Sequence, residues 1–121
     1  MSTPASFEAV SLNDLESMRD EDRDALPFGV VGFGADTIVQ TYNATEARMS
    51  GLDPATVMGV PFFDAVAQCM NNFMVAQRFD DEPEIDDIVP YVLTLRMRPT
   101  RVRLRLIAQA EMPRRYILIE R

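Results

Sequence analysis

Two short apolar blocks, Phe28 to Phe33 and Thr37 to Tyr42, are rich in β-branched and aromatic residues and are parted by Gly34-Ala35-Asp36. Runs of this length bounded by turn residues predict two strands of a hairpin. Three further runs, Ile88 to Arg96, Thr100 to Ala108 and Arg115 to Glu120, predict strands near the C-terminus, the first two joined by Met97-Arg98-Pro99. The middle run alternates: Arg101, Arg103 and Arg105 point one way, and Val102, Leu104 and Leu106 the other, as the period of two in a strand requires.

Between and before these blocks the apolar spacing changes to three and four. Ser11 is followed three positions later by Asp14, with Leu12, Leu15 and Met18 in step, which predicts a short capped helix. Arg19 to Asp24 reads as a polar turn. Asn43 is placed to cap another helix, and Asp53-Pro54 opens a third that Gly59 ends. Residues 73–79 read as helical, and Asp80 to Asp87 as an acidic connection without the central glycine of a calcium loop. The order of elements predicts an α+β fold: a five-stranded antiparallel sheet with short helices on one face and an N-terminal helical cap. With 121 residues, 47% of them hydrophobic, the chain is expected to form one domain, 1–27 as the cap and 28–121 as the core.

Composition then closes several routes. The chain has no His, and all 12 of its basic residues are Arg. There is no Lys to form a Schiff base and no imidazole to act as a base or to bind haem or zinc, so no metal site is expected. Proton transfer near neutral pH falls to carboxyls, tyrosines or a thiol. Charge is uneven: residues 1–60 hold 10 acids and 3 Arg, residues 61–95 hold 7 and 1, and residues 96–121 hold 2 and 8. The net charge of -7 argues against nucleic acid as a partner. Gly32 and Gly34 do not form a dinucleotide fingerprint, since no helix follows them. No apolar run approaches the ~20 residues that span a bilayer, and Met1 to Ser6 lacks the blocks of a signal peptide. A cytoplasmic protein without membrane contact is expected.

Cys69 is the lone cysteine, so its uses are packing, an intermolecular bridge, redox or metal chemistry, or a covalent bond to a small molecule. Twenty-three residues earlier, Tyr42-Asn43-Ala44-Thr45-Glu46 sets a phenol and a carboxyl four positions apart. Glu46 also falls where a carboxylate can bond back to the Asn43 cap, which would be a structural role. Pro61 to Cys69 supplies aromatics that either wall a cavity or fill the core.

Taken together, Leu26-Pro27-Phe28-Gly29, Tyr42-Asn43-Ala44, Glu46, Gly51, Asp53-Pro54, Gly59, Phe62-Phe63, Val66-Ala67, Cys69 and Met97-Arg98-Pro99-Thr100-Arg101-Val102 resemble the photoactive yellow protein family over nearly the whole chain. The resemblance implies a PAS-type fold and a blue-light photoreceptor rather than an enzyme. It also implies 4-hydroxycinnamic acid (p-coumaric acid) held as a thioester on Cys69, with Tyr42 and Glu46 donating hydrogen bonds to its phenolate. Ser50 stands where the family has a threonine bonded to that tyrosine, and Met97 matches a methionine that assists return to the dark state. Val31, Phe62, Val66, Ala67, Gln68, Leu95 and Met97 are the expected pocket walls. Keeping a phenol of pKa ~10 ionised at neutral pH requires roughly three units, about 4 kcal/mol, within reach of two charge-assisted hydrogen bonds. Trans-to-cis isomerisation and proton transfer from Glu46 are then expected to loosen the packing into a signalling state, read by a downstream signalling protein.

The sequence departs from the family pattern at Leu52, where an arginine shields the pocket in better-known members, and at Gln68, Met70, Leu93 and Leu95. The competing readings are a PAS-like ligand or partner module that has lost its pigment, and a thiol redox sensor. The expected state is a monomer or weak dimer. Asp20, Glu21, Asp22 and Asp24 are expected to lie against Arg101, Arg103 and Arg105, joining the N-terminal cap to the sheet.

Overall fold

The computed structural model describes residues 6–94 and 98–121. Five antiparallel strands form one sheet in the order β2-β1-β5-β4-β3. These are β1 (Gly29–Phe33), β2 (Val39–Tyr42), β3 (Ile85–Leu93), β4 (Thr100–Ala108) and β5 (Arg115–Glu120). Ahead of β1 lie two short helices, α1 (Leu12–Ser17) and α2 (Asp20–Asp24). Between β2 and β3 come α3 (Ala44–Ser50), α4 (Pro54–Val57), a π-helical turn (Phe62–Val66), a 3-10 turn (Gln68–Met70) and α5 (Ala76–Asp81).

The strands alternate, so the sheet has two apolar faces. On one face Val31, Phe33, Leu104, Leu106, Ile117 and Ile119 pack with Phe62, Phe63, Val75 and Phe79 from the turns and α5. The Phe33 ring meets Phe63 edge-on at 5.4 Å and Phe79 at 5.2 Å between centroids, the arrangement favoured by the ring quadrupole. On the opposite face Val30, Ile107, Tyr116 and Leu118 are covered by Phe7, Val10, Leu12, Leu15, Leu26 and Phe28. The N-terminal segment is thus a second apolar layer, each buried large side chain contributing about 1.5–3 kcal/mol.

The α+β fold, the five-stranded sheet and the capping segment are as the sequence predicts, and β4 and β5 have the expected bounds. β1 and β2 start at Gly29 and Val39, one and two residues later than expected, and three further local readings differ. Arg19 to Asp24 is not a turn throughout, because residues 20–24 close a helix with Asp20, Glu21 and Asp22 in its first turn, where acids meet the positive end of the helix dipole. The helix expected over residues 73–79 forms over Ala76–Asp81. β3 begins at Ile85 instead of Ile88, since each residue of β4 from Thr100 to Ala108 pairs with one of β3, and Ile85 faces Ala108. The acidic connection is therefore divided between α5 and β3. Pro90 is tolerated in β3 because that strand is the sheet edge.

The cap also meets the arginines through different acids from those expected. Arg105, 5% exposed, donates from Nη1 to the carbonyls of Phe7 at 3.0 Å and Val10 at 2.6 Å. It also forks onto Asp86 of β3 at 2.8 and 3.0 Å. Arg103 pairs with Glu8 at 2.6 Å and with Glu120, while Arg101 is exposed. Asp20 instead pairs with Arg23 at 2.6 Å, Asp22 with Arg19, and Asp24 accepts from the Ala44 backbone N–H at 2.7 Å. Short i,i+3 partners are reached at less entropic cost than a distant strand.

Candidate functional site

Asn43, 1% exposed, fixes the start of α3 with all of its side chain. Its Oδ1 accepts from Glu46 N at 3.0 Å and Val30 N at 2.9 Å, and its Nδ2 donates to the carbonyls of Arg23 at 2.8 Å and Phe28 at 3.0 Å. One residue therefore caps α3 and ties it to β1 and to the segment before it. α3 ends at Gly51, whose φ of 77° is left-handed, a conformation that glycine adopts without steric cost.

From that cap, Glu46 and Ser50 lie four residues apart on one face of α3. The Tyr42 hydroxyl is 2.8 Å from Ser50 Oγ, and Ser50 Oγ also accepts from Leu52 N at 3.2 Å. Burial pushes the Tyr42 phenol up to about 12, with Ser50 working against it and the Glu46 charge working with it. Tyr42 thus remains a proton-bearing donor across the physiological range.

Glu46, 2% exposed, does not turn its carboxylate back to the cap. Oε1 and Oε2 accept from Arg121 Nη1 at 2.7 Å and Nη2 at 3.1 Å. The Arg121 side chain is only 13% exposed. The strands explain the meeting: Gly29 of β1 faces Ile119 of β5, and Arg121 continues the parity of Ile117 and Ile119 onto the α3 side. A Cβ at Gly29 would stand 2.1 Å from Glu46 Oε1, so the carboxylate lies against bare backbone. Burial raises the Glu46 pKa above the usual carboxylate range, opposed by the hydrogen bonds and charge of Arg121. Sequence reasoning missed Arg121; its strand parity was the available signal, but no spacing links it to Glu46.

Cys69 lies half-buried in the 3-10 turn and packs against the cluster that contains Val31, Tyr42, Phe62 and Ala67, with Leu52 and Val66 also against it. Its carbonyl accepts from the Tyr91 hydroxyl at 2.5 Å and from Asn72 Nδ2 at 3.1 Å, and Asn72 Nδ2 also reaches the Tyr91 oxygen at 2.7 Å. These two residues, also missed, tie the cysteine backbone to β3. Gln68 is exposed and its amide donates to the Asp64 carbonyl at 2.8 Å. Leu95 and Met97 lie outside the described residues. A cavity of about 500 Å³ opens beside the Glu46 end, walled by Arg48, Ser50, Leu93, Arg98, Thr100 and Arg121 among others. Its lining does not include Cys69. Among the described residues no group of three or more Cys, Asp or Glu side chains could hold a metal ion, and no helix is long and apolar enough to cross a membrane.

No protein-family profile matches the chain. It is 34% identical over 95 residues to a photoactive yellow protein of Halochromatium salexigens, covering 76% of each chain. It is 28% identical to that of Rhodothalassium salexigens over the same length and coverage. The photoactive yellow protein domain of the sensor histidine kinase Ppr from Rhodospirillum centenum superposes with a TM-score of 0.83 at 30% identity, over 90% of this chain and 98% of that one. The PAS domain of Bordetella pertussis BvgS, with a TM-score of 0.62 and 20% identity over 89% of this chain and 84% of that one, shares the fold. Identity to the Halochromatium protein over three quarters of both chains, on a PAS architecture, makes this chain a photoreceptor-like PAS module of the photoactive yellow protein family.

Proposed function

We propose that the chain is a blue-light photoreceptor carrying p-coumaric acid as a thioester on Cys69. The observation that carries the reading is that the thiol packs against an apolar cluster that includes the Tyr42 phenol, itself within electrostatic range of the buried Glu46 carboxyl. The donor set fits such a group: a nucleophilic sulfur, apolar walls, and two oxygen acids able to face an aryl oxygen. When bound, the acid supplies visible absorption, an isomerisable double bond and an ionisable phenol.

The chain's own residues then have separate tasks. Cys69 sulfur takes the acyl group from an activated donor, its proton leaving with the departing group. Tyr91 and Asn72 hold the Cys69 carbonyl, while Val31, Phe62, Val66 and Ala67 exclude water. Tyr42 donates its proton-bearing hydroxyl, oriented through Ser50. Glu46 exchanges a proton at its carboxyl, which burial makes less acidic than usual. Loss of the hydrogen bonds to the aryl oxygen, with the negative charge moved onto Glu46 beside Arg121, rearranges a buried charge pair, and that rearrangement loosens the packing into a signalling state read by a downstream protein.

Incubation with an activated ester of the acid is expected to add one coumaroyl mass and a visible band, both lost in Cys69→Ala. Glu46→Gln is expected to keep the colour and change the slow phase of the photocycle. A wild-type protein that stays colourless and unmodified would overturn the proposal. The outcome then favoured is a pigment-free PAS module, for which the arginine-walled cavity of about 500 Å³ is the supporting observation.

A further inference from the structure

The buried site holds a cation that the four residues Tyr42, Glu46, Ser50 and Cys69 do not account for. Arg121 makes a bidentate pair with Glu46 at 2.7 and 3.1 Å, with the carboxylate 2% and the guanidinium side chain 13% exposed. Two-point contact of this kind is the geometry of an ionised carboxylate. Tyr42, from β2, also lies within electrostatic range of both groups. Arg48 and Arg98 share a cavity with Arg121, but of these three the guanidinium that bonds the Glu46 carboxylate is that of Arg121. Among the described residues, the cation bonded to Glu46 is therefore Arg121. Leu52 is apolar, so position 52 supplies no charge to this site.

One guanidinium balances one anion. A second negative charge placed beside Glu46 in this low-dielectric setting would be uncompensated, so two acids sharing the site would hold one proton between them. We propose that Arg121 is the counter-cation that fixes this proton count: Glu46 carries the negative charge when the site is empty, and the phenolate carries it when the site is loaded. Loading then moves a proton within the site. The phenol O–H bond breaks, its proton joins a Glu46 carboxylate oxygen, and the electron pair remains on the aryl oxygen, with no change of net charge. Arg121 is in this sense a positioning residue that sets who is ionised. The loaded half of the inference rests on the proposed pigment; the empty half does not.

The test uses infrared difference spectroscopy and titration on the full chain. In the unloaded wild type at neutral pH, no protonated-carboxyl band sensitive to Glu46→Gln is expected, whereas unloaded Arg121→Gln should show one. Arg121→Lys, which restores the charge without the fork, should return the unloaded protein to the ionised form. In the loaded wild type the Glu46 band should appear. Loaded Arg121→Gln should ionise its phenol at a pH higher by about one unit or more, a tenfold change in the equilibrium. A protonated Glu46 in the unloaded wild type, or an unloaded Arg121→Gln protein with no such band and native circular dichroism, would overturn the proposal. If the wild type takes no pigment, the light-sensing proposal fails while the unloaded spectra still decide the role of Arg121.

Discussion

A methyl group at position 29 would fall 2.1 Å from Glu46 Oε1, a contact no side chain can tolerate. Gly29→Ala is therefore expected to push the carboxylate off Arg121 and to cost about 1–3 kcal/mol, the usual penalty for overpacking a tight interior. Urea titration measures the loss, and in Gly29→Ala/Glu46→Ala, where the carboxylate is gone and the Cβ of residue 46 remains at 3.1 Å, the added cost of the methyl should shrink. Tyr42, Glu46, Ser50 and Cys69 were singled out by the resemblance, and of them the structure joins Tyr42 to Ser50; Asn43 was legible because capping chemistry is local. Gly29 and Arg121 were not. Their roles come from strand pairing between residues ninety positions apart, which no short-range pattern in the chain encodes. The same holds for Tyr91 and Asn72, whose bonds to the Cys69 carbonyl depend on where β3 passes the 3-10 turn.

Among the elements, the N-terminal segment is held more deeply than a detachable cap would be. Leu12 and Leu15 are 1% and 0% exposed, and Arg105 reaches out of β4 to fasten the carbonyls of Phe7 and Val10. Arg105→Met keeps the length and removes the donor, leaving two carbonyls without that partner. It is expected to cost about 2–3 kcal/mol and to speed hydrogen exchange over residues 6–18 more than in β1 or β5. Strands whose own alternation was complete, β4 above all, could be read to the residue. β3 could not, because its first three residues, Ile85-Asp86-Asp87, look like loop until Arg105 supplies the partner for Asp86. Pairing with a longer neighbour overrode the local composition.

Across the whole molecule, stability should carry the mark of the buried acid. Glu46 titrates near ~4.3 in an unfolded chain and higher in the fold, where burial disfavours its charge. The folded state holds the proton more tightly, so this group's contribution is complete below the unfolded value and is lost as pH rises through the folded one. Glu46→Gln, neutral throughout, should lose less stability than the wild type between about pH 4 and the raised value, as urea titrations at several pH values would show. Glu8 has the opposite sign, its pKa lowered by Arg103, but it is exposed and its share is small. The two acids are nevertheless moored to neighbouring peptide units. Glu120 grips Arg103 and through it Glu8 on the cap side, and Arg121 grips Glu46 on the other. Consecutive residues of an extended chain face opposite ways, so one peptide unit, between Glu120 and Arg121, joins the anchor of the cap to the anchor of α3, and a load taken off either is expected to be felt by the other along the backbone, with no need for a message to cross the core.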